Sequence, residues 1–159
     1  MPDRPLPTVS DPEEARAAFL RDHEKALEGY RWEEQSPLSI LVHLEGHRAS
    51  GEVDLYLACF SFLYYPIWPP SVTFVNPVTL KYDPAYWPKT SGPNIAFSAP
   101  YGDAPSGMVC NSMFFEYYFW GGHAPNPNIS WDPKRHTFAA SLNELRIHLR
   151  PPHYQGPRR

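Results

Sequence analysis

The sequence predicts an α+β domain: an antiparallel β-meander of three to four strands packed with an N-terminal helix and a C-terminal helix. Three observations predict it. Apolar residues recur at helical spacing near both ends, in Ala15, Ala18, Phe19, Ala26, Leu27 and Tyr30, and again in Phe138, Leu142, Leu145 and Leu149. Between them, strand-like segments with period-two alternation follow one another without an intervening helix, which favours antiparallel over parallel pairing. Finally, residues 76–133 show no clear period and are rich in proline and glycine. A stretch of that length inside a compact domain is usually functional or carries short elements of its own.

Each element has a local signature. Residues 1–9 read as a flexible, proline-rich leader. Ser10 or Asp11 can cap the first helix, with Pro12 in its first turn, Glu13 and Glu14 at the positive end of its dipole, and Gly29 at its end. "LSILVHLEGH" (38–47) and "EVDLYLACFSF" (52–62) alternate as two strands, and "RASG" between them suits a hairpin. Pro66, Pro69 and Pro70 cannot donate to a ladder, so 65–70 must bend before a short strand, Val72 to Val75. The second long helix, "HTFAASLNELRIHLR", has Thr137 as a possible cap and is stopped by Pro151 and Pro152. A single domain over 10–150 and a flexible tail over 151–159 complete the organisation.

Composition narrows the function classes. A chain of 159 residues suits one domain with a real core. Its 20 prolines and abundant aromatics suggest a compact fold with rigid loops, because disordered chains carry few aromatics. With a net charge of -3 and no basic stripe, nucleic acid is not an expected partner. The start MPDRPLPTVS has no apolar signal-peptide core, and no apolar run approaches the roughly 18 residues of a membrane span, so the expected location is the cytoplasm and no membrane is involved. Two cysteines, Cys59 and Cys110, make no disulfide framework. The histidines are scattered without zinc-site spacing, so neither a metal nor a cofactor is expected. Cys59 lies in an apolar strand and reads as packed core. Cys110, in "GMVCNS" at the end of the long loop, is the cysteine with a chance of exposure. It can be a core residue, a ligand or a nucleophile.

Four segments, in order, resemble the ubiquitin-conjugating enzyme (E2) family. "YYPIWPPSVTFVNP" (64–77) is similar to the family's tyrosine-proline, spacer, proline-proline, strand segment. "GPNI" (92–95) resembles its His-Pro-Asn-Ile, "GMVC" (107–110) the Gly-x-Ile-Cys ending in the active-site cysteine, and "WDP" (131–133) the Trp-Ser-Pro before a helix. With the first helix they cover residues 11 to 150. There are departures. Gly92 replaces the histidine, and the 15 residues between Asn94 and Cys110 and the 20 between Cys110 and Trp131 are longer spacers than the family's. This short, loop-inserted form resembles the divergent E2-like proteins of bacterial ubiquitin-like conjugation operons, which are associated with antiviral defence against phage.

The resemblance implies a UBC-like fold and an E2-like acyltransferase. Cys110 would accept a ubiquitin-like modifier as a thioester from an E1-like activating enzyme and pass it to an amine on a protein target. A deubiquitinase from the same kind of operon is a further implied partner. Asn94 would donate to the oxyanion, a role worth about 3 kcal/mol in a dry site; alternatively its side chain only fixes a turn. Ile67 and Trp68 lie where the family meets E1- and E3-type partners.

Other residues carry two readings each. His123 is a base if its loop folds back over Cys110, and otherwise a solvated loop histidine. Asp132 could help deprotonate a lysine, or simply cap the following helix. Asn111 and Ser112 could orient an incoming amine or be ordinary loop residues. "MFFEYYFW" (113–120) is either a cluster pinning the long loop to the body or a docking surface. Two rival functions remain beside the E2-like enzyme: a catalytically inactive E2-variant binding module, and a Cys-His hydrolase built on Cys110 and His123.

Overall fold

A computed structural model describes residues 2, 4–90 and 96–158. The fold is mixed α+β, with a four-stranded antiparallel sheet and, among the described residues, four helices. None of these helices is long and apolar enough to cross a membrane.

Helix α1 (Pro12–Leu20) starts where Asp11 accepts hydrogen bonds from the Glu13 and Glu14 amides at 2.9 and 3.2 Å. It stops nine residues short of Gly29, and a separate turn, α2 (His23–Ala26), follows. The His23 ring donates from Nδ1 to the Leu20 carbonyl at 3.0 Å, taking an acceptor that a continuous helix would give to a later amide.

The sheet runs in simple order: β1 (Trp32–Ser36), β2 (Ser39–His47), β3 (Val53–Ser61) and β4 (Ser71–Phe74). Its register pairs Ile40 with Phe60, Val42 with Ala58 and Leu44 with Tyr56. Together with Val72 and Phe74, these six side chains form the buried face. The intervening residues Leu41, Leu57 and Cys59 point the other way, where they join Val75 in a small second cluster. Cys59 is therefore not in the main core. The period-two rule places it on the opposite face, half-buried, with its thiol 3.3 Å from Gln35 Oε1. Strand β1 (WEEQS) has no alternation to announce it. It exists because its backbone pairs with β2, while Trp32 packs edge-on against Phe19.

Helix α4 (Phe138–His148) lies over the buried face through Phe138, Leu142, Leu145 and Leu149. The Phe138 ring meets Phe19, Phe60 and Phe62 at centroid distances of 5.9, 5.0 and 5.3 Å, so both ends of the chain share one aromatic centre.

The irregular segment carries a 3₁₀ turn (Pro84–Tyr86), β5 (Pro88–Thr90), a two-residue pair β6 (Phe97–Ser98) with β7 (Met108–Val109), and the short helix α3 (Phe115–Phe119). The tail is not loose, contrary to expectation: β8 (Tyr154–Pro157) pairs with β5. Tyr154 is buried, and its hydroxyl donates to Asp54 at 2.7 Å and contacts the Tyr56 hydroxyl, while Arg48 holds Asp54 through two bonds of 2.7 and 2.8 Å. Gly46 makes room for this ring: a Cβ there would lie 2.5 Å from Tyr154 Cζ. Within the leader, Arg4 reaches α3 and the segment after it, and just beyond the leader the Ser10 amide bonds the Leu63 carbonyl at 3.0 Å.

Candidate functional site

Cys110 directly follows β7, and its amide donates to the Ala96 carbonyl at 2.7 Å, which extends the β6–β7 pair by one bond. The preceding glycine is required by both conformation and space. Gly107 has a φ of +73°, and a Cβ there would sit 2.6 Å from the Trp87 ring. Trp87 is fully buried and packs against Phe74 of β4 at 5.1 Å. The loop that delivers the cysteine is thereby anchored on the sheet.

The Cys110 thiol is half-buried, and burial raises its pKa above the ordinary thiol value. Its sulfur faces His123 Nε2 at 3.8 Å. They are thirteen positions apart in sequence, yet the chain folds back through α3. The His123 ring stacks on Tyr117 with centroids 4.0 Å apart and planes within 8°. The His123 amide bonds the Tyr117 carbonyl at 3.3 Å. Gly121 allows the return: a Cβ there would meet the Tyr117 carbonyl oxygen at 2.8 Å and His123 Cδ2 at 3.1 Å. The Tyr117 hydroxyl titrates above its usual range because of burial first, then the nearby Cys110 charge.

The residues after Cys110 hold the loop. Asn111 Nδ2 donates to Glu144 of α4 at 3.0 Å, and Asn111 Oδ1 accepts from the Met113 amide at 2.9 Å. Ser112 donates to the Ile129 carbonyl at 2.6 Å. Both side chains are thus engaged, Asn111 with α4 and its own turn and Ser112 with the far end of the loop. The Tyr118 hydroxyl donates to the Ser112 carbonyl at 2.7 Å and accepts from the Trp131 amide at 2.8 Å, so one phenol fixes both ends of the 112–131 excursion.

The aromatic run pins this excursion to the body. Phe114, Phe115, Tyr118 and Phe119 are buried, Phe115 stacks on Tyr64 at 4.3 Å, and Trp68 packs against Tyr118 and Phe119 at 5.3 and 4.8 Å. Trp68 is thus half-buried in this cluster, whereas its neighbour Ile67 is 67% exposed. Within the run sits a residue that sequence reading passed over. Glu116 is buried, its Oε1 accepts from the Val72 amide of β4 at 3.2 Å, and its Oε2 has no partner. Burial pushes its pKa up to about 8, against smaller opposing effects of its own backbone amide, the Val72 amide and the Ser71 hydroxyl. An acidic letter inside an aromatic run was the signal that could have found it.

Asp132 does not meet Cys110 through any of its bonds. Its carboxylate accepts from the Lys134 amide at 2.9 Å and from Arg135 Nε at 3.1 Å, and these bonds, the amide first, hold its pKa below the ordinary range. Those are the bonds of a turn ahead of α4. Asn94 and Gly92 lie outside the described residues. Two of the segments singled out in the sequence do meet: Trp131 Nε1 donates to the Pro66 carbonyl at 2.8 Å, and the Phe138 amide donates to the Tyr65 hydroxyl at 3.1 Å. Among the described residues, no group of three or more His, Cys, Asp or Glu could hold a metal ion.

No protein-family model matches this sequence, and no curated protein gives a significant match.

Proposed function

We propose that this chain is an E2-like conjugating enzyme of UBC-like fold that carries a ubiquitin-like modifier as a thioester on Cys110. The observation that carries the reading is the half-exposed Cys110 sulfur facing the His123 imidazole at 3.8 Å. Two further features support it. A helix, a four-stranded meander, a cysteine-bearing loop and a second long helix follow in the E2-like order. The "YYPIWPP" and "WDP" segments, on which the resemblance partly rests, are bonded to each other.

The chemistry follows from the pair. Neutral His123 takes the proton of Cys110, giving thiolate and imidazolium, which offsets the cost that burial places on the thiolate. The thiolate attacks the carbonyl of the modifier's C-terminal thioester on the activating enzyme. A new C–S bond forms, the activating enzyme's sulfur leaves as the thiol with the proton returned by the imidazolium, and His123 is neutral again. In the second step a target amine attacks that carbonyl, the Cys110 thiolate departs, and the amine's proton passes to the imidazole. Asn94 keeps its proposed place as a donor to the intermediate oxyanion. Ile67 is the side chain free to meet a partner on the 64–70 segment, Trp68 being engaged in the aromatic cluster.

The contact between Cys110 and His123 also favours a second reading, a Cys-His acyl hydrolase that needs no activating enzyme. One experiment separates the readings. The full chain is incubated with ATP, an activating enzyme and its modifier, and run on a non-reducing gel. The conjugating-enzyme reading expects a thiol-sensitive adduct that disappears in Cys110→Ala and becomes thiol-resistant in Cys110→Ser. Turnover of a simple thioester without activating enzyme supports the hydrolase instead. Tight modifier binding without any adduct supports an inactive E2-variant module.

A further inference from the structure

A histidine in a glycine- and proline-rich segment has to be held if it is to stay on a thiol 3.8 Å away. Stacking on Tyr117 fixes the ring plane, and the His123 amide ties one side of its backbone to the Tyr117 carbonyl at 3.3 Å. The carbonyl side of that backbone is restrained from the far end of the sequence. Arg4 Nε donates to the Tyr118 carbonyl at 2.9 Å, and Arg4 Nη2 donates to the His123 carbonyl at 2.8 Å. The first acceptor belongs to the last turn of α3, where helix carbonyls lack partners of their own. The guanidinium also lies over Phe119 at 4.8 Å and over Trp68 at 5.8 Å. A rigid planar fork is suited to joining two carbonyls at once, which a lysine ammonium on a flexible stem does less well.

We propose that Arg4 is a positioning residue for the thiol site: it ties the His123 backbone to the end of α3 and so holds the imidazole against Cys110. The proposal rests on the reading of Cys110 and His123 as an acid–base pair. Titratable and charged groups around the pair are the Tyr117 phenol on α3, the Arg4 guanidinium of the leader, and Glu144 of α4, which reaches the neighbouring Asn111 and has His148 at 3.7 Å.

The test measures iodoacetamide alkylation of Cys110 from pH 6 to 10 in the full chain carrying Cys59→Ser, so one thiol reports and no activating enzyme is needed. His123→Ala should move the rate profile to higher pH. Arg4→Gln should move it in the same direction and slow alkylation at pH 7.5 about threefold or more, the scale of coupling between residues in one network. Arg4→Lys should fall between Arg4→Gln and the parent, and it serves as the test if Arg4→Gln does not fold. Arg4→Gln added to His123→Ala should change nothing further. A profile untouched by His123→Ala overturns the acid–base pair, and the role of Arg4 with it. A shift with His123→Ala but none with either Arg4 variant, or fully additive effects in the double variant, overturns Arg4 alone and leaves the pair standing.

Discussion

Replacing Glu116 with glutamine should flatten the pH dependence of stability between roughly pH 4.5 and 8. In the folded chain this carboxyl titrates at about 8, compared with 4.5 for an unperturbed glutamate. Between those values the native state keeps a proton that the unfolded chain releases, so stability is fully present below about 4.5 and is lost as pH rises through about 8. Each pH unit in that window costs at most about 1.4 kcal/mol, so the whole window removes on the order of 4 to 5 kcal/mol. Glutamine never ionises, and its carbonyl can still accept from the Val72 amide at the Oε1 position. Its NH₂ replaces an oxygen that has no partner, which adds a roughly constant cost of about 1 to 3 kcal/mol. The two stability curves must therefore cross, with the parent more stable at pH 5 and Glu116→Gln more stable at pH 8.5. Urea unfolding followed by tryptophan fluorescence, at fixed ionic strength and half-unit pH steps, measures both curves. Other titrating groups are common to both chains and cancel in the difference. Parallel curves with a constant offset would refute a protonated, buried Glu116.

Three further outcomes are expected. Gly121→Ala places a Cβ 2.8 Å from the Tyr117 carbonyl and 3.1 Å from His123 Cδ2, so the ring must move; alkylation of Cys110 slows, while thermal stability falls by about 1 to 3 kcal/mol. Tyr154→Phe leaves the Asp54 carboxylate and the Tyr56 hydroxyl each short of a bond; urea unfolding should show a loss of about 1 to 3 kcal/mol, with Cys110 alkylation unchanged because the tail lies outside the thiol site. Phe138→Ala opens the centre shared by Phe19, Phe60 and Phe62 and should cost about 3 to 5 kcal/mol in the same assay.

The sequence by itself determined the parts whose cause is local. The β2–β3 hairpin could be read because each strand sends every second residue to the main core around a short polar link, although Leu41 and Leu57 are buried on the opposite face as well. The start of α1 was set by Asp11 and Pro12, and α4 by a stripe of four apolar residues. Cys110 stood out for similar reasons, as the cysteine at the end of a proline- and glycine-rich loop rather than in a strand-like run. What depends on partners distant along the chain was decided only in three dimensions. "WEEQS" becomes a strand because β2 offers it an unpaired edge, and the tail becomes one because Tyr154 finds a hydroxyl and a carboxylate beneath it. The aromatic run has no period that would tell a pinned loop from an exposed one; its burial against Tyr64 and Trp68 settles that. The same holds for the thiol's neighbour. Whether His123 faces water or Cys110 depends on a glycine that leaves room, a tyrosine face to stack on and an arginine from the leader, and a periodic pattern encodes none of those meetings.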